Sequence, residues 1–186
     1  MSRSEALKIV DDLVKSPNIK KHLLAAEAAM AGLARELRVK ENFDEEDWGI
    51  VGLLHDADYE VTNKSLELHT EETTKKLKEV GAPQEIIDAV RGHADKEPRS
   101  TMMAKAIYAA DELTGLIVAA AMVRPDKKLE GLTTESVLKR FKDPAFAKGA
   151  NRDQIKTCET ELGTPLPEFT EIVLNAMKGI SKELGL

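Results

Sequence analysis

The feature that most narrows the folds open to this chain is the adjacent pair His55-Asp56, taken with the positions of the other histidines. The 186 residues hold four histidines, and with Asp56 and Asp111 they form the ordered set His22, His55, Asp56, His69, His93 and Asp111. Most of these donors lie on or beside stretches whose apolar residues recur at helical spacing. A fold that unites them therefore packs several helices around one point. Imidazole nitrogen and carboxylate oxygen together suit zinc, iron, manganese and related divalent ions, and six such groups could gather one ion or two. Metal-assisted hydrolysis is the leading reading of that donor set.

The helical reading runs the length of the chain. Ser4 to Lys15 carries Leu7, Val10 and Val14, with Ser2 and Glu5 spaced as a capping box, and Ser16-Pro17-Asn18 breaks it. From Pro17 to about Arg38, Ile19, Leu23, Ala26, Met30, Leu33 and Leu37 form one stripe. His22 lies beside that stripe, and Glu27 falls on another side as a solvated charge. Asp44 is placed to cap the next helix, whose Trp48, Val51, Leu54 and His55 run toward the core before a turn at Asp58-Tyr59. The doublet is thus expected in a last helical turn. There the partial negative charge favours a cation, and relaxed geometry lets neighbouring side chains converge.

Ser65 to Val80 reads as a helix with His69, Thr73, Leu77 and Val80 on one face, ended by Gly81. Another runs from Pro83 to His93, and the longest apolar one, Arg99 to Val123, carries Ile107, Ala110, Asp111, Thr114 and Val118 along its inner side. Three more follow at Thr133–Lys142, Asn151–Leu162 and Pro167–Leu184. Residues 1–125 are expected to form the metal-binding helical domain, with 126–186 a helical subdomain packed on it as one unit.

Composition agrees with an all-α protein: 42% hydrophobic and 32% charged residues, with seven aromatics. A net charge of −6 and a pI near 5.4 leave no broad basic surface for polymeric nucleic acid. The longest apolar stretch, Leu116 to Val123, is far too short to span a bilayer. The N-terminus leads straight into a charged amphipathic segment, so a cytoplasmic protein is expected. The single cysteine, Cys158, excludes an internal disulfide and reads as a small buried residue. Oligomeric state is left open.

The order His22, His55-Asp56, Asp111 resembles that of the HD-domain metal-dependent phosphohydrolases. Members that hold two metals insert two further histidines between the doublet and the last aspartate, where His69 and His93 stand. The segment from His69 through Gly81-Ala82, Ile86 and Ile87 to His93 is similar to the HDIG-type subgroup, and the resemblance covers about residues 18–120. It implies an HD-like helical bundle with a C-terminal helical extension. His22, His55, Asp56 and Asp111 would hold one ion, while His69, His93 and a shared Asp56 would hold a second; iron, manganese, zinc, magnesium, cobalt and nickel are all open. The chain departs from the pattern at Ala57-Asp58, where HDIG proteins carry Ile-Gly. It departs again at Ala94, where HD-GYP members carry a second histidine, and no GYP triplet follows, which disfavours a cyclic-dinucleotide phosphodiesterase.

The expected activity is cleavage of a phosphoester or phosphoanhydride in a small phosphorylated metabolite or nucleotide, with Asp56 central to the chemistry. Asp58 is a candidate to accept a proton or hold a water, against a turn or capping role. Arg152 is the leading phosphate ligand, because Gly149, Asn151 and Arg152 cluster at a predicted helix start where backbone N–H groups favour anions. Lys148, Asn151 and Lys105 are further substrate candidates, and Lys96 and Arg99 are candidates for the pocket rim. The same six ligands would also serve a mixed-valence di-iron oxygenase, and a non-catalytic nucleotide sensor is the third alternative.

Overall fold

A computed structural model describes residues 1–37 and 44–186, and all regular structure among them is helical: ten α-helices and no strand. The first, α1 (Arg3–Leu13), starts from the expected capping box: the Glu5 carboxylate accepts from the Ser2 N–H at 2.8 Å, and the Ser2 hydroxyl accepts from the Glu5 N–H. The Arg3 guanidinium pairs with Glu27, so Glu27 is a tie between helices rather than the solvated charge its spacing suggests. α2 (Pro17–Leu37) opens with proline at its first position, where no N–H is needed, and buries Leu23, Ala26, Met30 and Leu33 along the expected stripe. Its expected end near Arg38 lies outside the described residues.

α3 (Glu45–Leu54) is capped by Asp44, whose carboxylate accepts from the N–H groups of Glu46 and Asp47 at 2.9 and 3.1 Å. Every residue from Trp48 to Leu54 is buried, which makes α3 the central element. It lies against α2 through small residues. A Cβ on Gly52 would sit 2.4 Å from the carbonyl oxygen of Ala26 and 2.7 Å from the nitrogen of Glu27, so only glycine permits this approach of two backbones. That contact lies one helical turn before His55 and one after His22.

α4 (Glu71–Glu79) begins later than the periodicity from Ser65 predicts. Residues 65–70 are wound into turns instead, because Thr70 adopts a left-handed backbone (φ 69°) and breaks the helical path. At its other end Gly81 takes the left-handed conformation, with Gly81 N–H donating to Lys78 and Ala82 N–H to Leu77. α5 (Gln84–Gly92) starts one residue and α6 (Met102–Met122) three residues after the expected helix starts, and α6 is capped by the Thr101 hydroxyl.

The C-terminal part contains α7 (Thr134–Phe141), α8 (Arg152–Thr160), α9 (Leu166–Gly179) and the short α10 (Ser181–Leu184), since the periodic stretch expected to end at Leu184 is interrupted at Ile180. α8 packs on α6 and α9 on α2. Phe141, Ile155, Cys158, Phe169 and Val173 belong to the same hydrophobic cluster as Leu23, Trp48 and Ile107. No helix among the described residues is long and apolar enough to cross a membrane.

Candidate metal centre

Five segments converge on one point. His22 comes from the second turn of α2, His55 and Asp56 from the end of α3, His69 from just before α4, His93 from the end of α5, and Asp111 from the middle of α6. The ring nitrogens meet Nε2 to Nε2, with His22 and His55 at 3.1 Å and His69 and His93 at 3.0 Å. The two aspartates stand between the imidazoles. Asp111 Oδ1 is 3.2 Å from His22 and 3.4 Å from His55. Asp56 Oδ1 is 3.1 Å from His69 and 3.2 Å from His93, while its Oδ2 is 3.5 Å from His22 and 3.8 Å from His55. One carboxylate thus turns an oxygen toward each imidazole pair. Two groups of three donors result, His22–His55–Asp56 and Asp56–His69–His93, each with its ligand atoms within 4.8 Å of one another.

The chemistry of the set fits divalent cations. For bonds of about 2.1 Å, neighbouring ligands stand about 3.0 Å apart in an octahedron and about 3.4 Å apart in a tetrahedron, and most of the spacings above lie near those values. The far ring nitrogens fix which lone pairs face inward. His55 Nδ1 donates to the Gly52 carbonyl at 2.8 Å and His93 Nδ1 to the Val90 carbonyl, in both cases three residues back at the end of a helix. His69 Nδ1 donates to Asp58 at 3.0 Å. A carbonyl or carboxylate can only accept, so in a neutral ring Nε2 is the bare nitrogen available to a cation.

The same charges govern the protons. Burial disfavours a charged His22, but Asp111 and Asp56 override it and raise its pKa to about 10. For His69, burial is likewise overridden, by Asp56 and Asp58, to about 9. Burial opposes ionisation of Asp56 and Asp111 as well, yet the imidazoles beside them hold both below the usual carboxylate range. Two carboxylates among four imidazoles draw positive charge into the pocket, as a cation site requires.

Asp58 stands behind His69 rather than in the pocket. Fully buried, it accepts from His69 Nδ1, from the Thr70 N–H at 2.9 Å and from the Thr73 N–H at 3.1 Å. Burial opposes its ionisation, but these donors hold its pKa below the ordinary value. The catalytic expectation for Asp58 gives way to the capping one: it caps α4 from thirteen residues before the helix starts and orients His69. Lys96, expected at the rim, instead donates to the carbonyls of Glu67 and His69 and pairs with Glu71 at 3.2 Å, pinning the turn that carries His69. Arg99 pairs with Asp95 and Glu161 and lies over the Tyr108 ring.

None of the four substrate candidates is among the donors that converge on the cluster, although the Asn151 N–H donates at 3.0 Å to Glu112, the neighbour of Asp111. Arg152 has its guanidinium committed to the backbone: it donates to the carbonyls of Ala147 and Ala150 at 2.6 Å each, to Phe146, and at longer range to Phe141 and Asp143. The Asp143 and Ala147 carbonyls of this loop also accept the N–H groups of Phe146 and Ala150, and Arg152 bonds these and the remaining carbonyls in place of an anion. Asn151 caps α8, accepting from the N–H groups of Asp153 and Gln154 at 3.1 and 3.2 Å. Lys148 is exposed on a groove between α7 and α8 that no cluster residue lines. Lys105 is half-buried on α6 and makes no side-chain hydrogen bond or ion pair among the described residues. Cys158 is buried, and burial pushes its thiol up to about 12, so it is inert as expected.

A cavity absent from the sequence reading opens beside His22. It measures about 490 Å³ and is lined by Asn18, Lys21 and His22 of α2, Gly115, Val118 and Met122 of α6, Lys127, and Leu184, Gly185 and Leu186. Apart from His22, nothing in the sequence marks these residues, because they come from three distant stretches and carry no motif.

The HD domain family matches residues 20–116, just over half of the chain, and the buried His/Asp cluster is compatible with that family's metal-binding pattern. The chain belongs to the HD domain family, a superfamily of metal-dependent hydrolases whose members are generally phosphohydrolases. Comparison with curated proteins and with solved structures gives no match.

Proposed function

We propose that this protein is a metal-dependent phosphohydrolase that cleaves a phosphoester or phosphoanhydride of a small phosphorylated molecule. The observation that carries this reading is the orientation of Asp56, one oxygen toward His22 and His55 and the other toward His69 and His93. His22, His55, Asp56 and Asp111 would hold one divalent ion, and Asp56, His69 and His93 a second. Such ions lower the pKa of water toward neutrality and neutralise charge on a phosphoryl oxygen.

The chain's own residues supply the rest. Gly52 and Val90 carbonyls and the Asp58 carboxylate hold three imidazoles with Nε2 inward. Burial of His55 and His93 keeps bulk water from the inner side, while the half-exposed His22 leaves the outer side open to substrate. In the reaction, water oxygen bonds to phosphorus as the bond from phosphorus to the leaving oxygen breaks. One water proton ends on the leaving group and the other stays with phosphate.

The test is metal analysis of protein purified without chelator, together with phosphate release from a panel of phosphoesters in the presence of each candidate ion. Asp56→Ala is expected to abolish both metal retention and turnover, and wild-type turnover in that variant would end the proposal. Oxygen uptake by iron-loaded protein with no phosphate release would favour the oxygenase.

A further inference from the structure

We infer that the cavity beside His22 receives the aliphatic body of a phosphate monoester, so that the preferred substrate is an alkyl-type phosphate rather than a nucleotide; the inference rests on the hydrolase reading above. The cluster is accessible from one side. Side-chain exposure is 29% for His22, 19% for Asp111 and 18% for Asp56, but 9% or less for His55, His69 and His93. A substrate therefore approaches along the His22 edge, where the cavity lies, and the cavity's volume of about 490 Å³ is that of a small-molecule site.

Its walls are aliphatic: Val118 and Met122 on one side, Leu184 and Leu186 on the other. Met122 is 48% exposed, a large apolar side chain partly open to solvent. Apart from His22 no ring lines the cavity, so a nucleobase has no face to stack on. Asn18 is the single neutral polar side chain there, too little to read the edge of a base. The space beside Gly115, one helical turn beyond Asp111, is open: a Cβ added there would meet nothing within 4 Å, so a larger side chain would extend into the cavity.

The charge at the cavity points the same way. Lys21 and Lys127 both line it, and neither ammonium has an acidic partner among the described residues, in a chain whose net charge is −6. Two lysines at the cavity, neither with a carboxylate side chain of the described residues within 4 Å of its ammonium, suit a phosphate dianion that carries a hydrocarbon tail. Hydrolysis of such an ester breaks the bond between phosphorus and the alcohol oxygen, forms one between phosphorus and water oxygen, and releases the alcohol with one of the water protons.

Calorimetric titration of the metal-loaded protein with octylphosphonate, whose carbon–phosphorus bond does not hydrolyse, and with methylphosphonate separates tail from head. Octylphosphonate is expected to bind about tenfold or more tightly than methylphosphonate, from burial of its methylene groups. Gly115→Leu should erase that ratio while leaving metal content and methylphosphonate binding unchanged. Lys21→Ala combined with Lys127→Ala should weaken both phosphonates by a similar factor. Phosphate-release kinetics should favour octyl phosphate over adenosine 5′-monophosphate in kcat/KM. Equal binding of the two phosphonates, an unchanged ratio in Gly115→Leu, or a preference for the nucleotide would overturn the inference. A retained binding ratio with no phosphate released from any ester would uphold the cavity's aliphatic selectivity and refute the hydrolase reading alone.

Discussion

Replacing Gly52 by alanine adds one methyl group at the point where α3 meets α2, and its effect can be worked from the backbone geometry. The new Cβ would lie 2.4 Å from the Ala26 carbonyl oxygen, where carbon and oxygen normally keep about 3.3 Å or more. The helices must separate by about 0.9 Å to make room, because the atoms met belong to helical backbone and cannot swing aside. Overpacking of this kind costs about 1–3 kcal/mol, and separated surfaces lose part of their dispersion attraction. Alanine's better helix propensity returns at most about 1 kcal/mol, so a net loss of about 1–2 kcal/mol is expected. The larger effect falls on the donors. His22 and His55, 3.1 Å apart, ride on the two helices being separated, and a shift near 1 Å exceeds the roughly 0.2 Å tolerance of metal–ligand distances. Urea unfolding should show the modest stability loss, and metal analysis should show marked loss of the ion at the His22–His55 side. Full stability with full metal content in Gly52→Ala would refute the close-approach argument.

Three further outcomes follow from the geometry. Asp58→Asn should cost about 1–3 kcal/mol of stability by setting an amide donor against the buried N–H groups it serves, and should weaken metal binding at His69 and His93 about 10- to 100-fold while sparing the His22 side; competition with a graded chelator measures this. Arg152→Ala should lower stability by about 2–3 kcal/mol through the stranded loop carbonyls, yet leave metal content and the KM of the best substrate unchanged, and a raised KM would restore Arg152 as a substrate ligand. For metal-free protein, the raised pKa values of His22 and His69 contribute stability that is full below 6.5 and is lost as pH climbs through about 9 and 10. The melting temperature of chelator-treated protein should therefore fall across that alkaline range, and a flat profile would count against protonated imidazoles in the cluster.

Much of the architecture could be read before the coordinates, because it is written in local chemistry. The Ser2/Glu5 box, the Asp44 cap and the Gly81 terminus each depend on residues within a turn of one another, and each is found where spacing puts it. The six donors were visible because imidazole is scarce in this chain. What escaped was long-range. Asp58 caps α4 across the turns that precede it, and the helix starts six residues after the Ser65 that periodicity indicates. Arg152 sits in a pattern that suggests an anion nest, and only the path of the 141–150 loop shows that carbonyls fill its fork. Spacing places Lys96 at the rim of the pocket, and only the path of the turn before α4 brings its ammonium to the carbonyls of Glu67 and His69.

The manner in which α3 and α5 end has a consequence for loading. Each terminates in a histidine whose Nδ1 is tethered to the carbonyl three residues earlier, a bond completed when the helix itself closes. Tautomer and ring plane are therefore settled by the polypeptide alone, ahead of any ion. Unlike a zinc finger, whose peptide is a coil until metal gathers it, this receptor is prebuilt. Chelation should empty it and leave the helical scaffold standing, ready to refill without refolding.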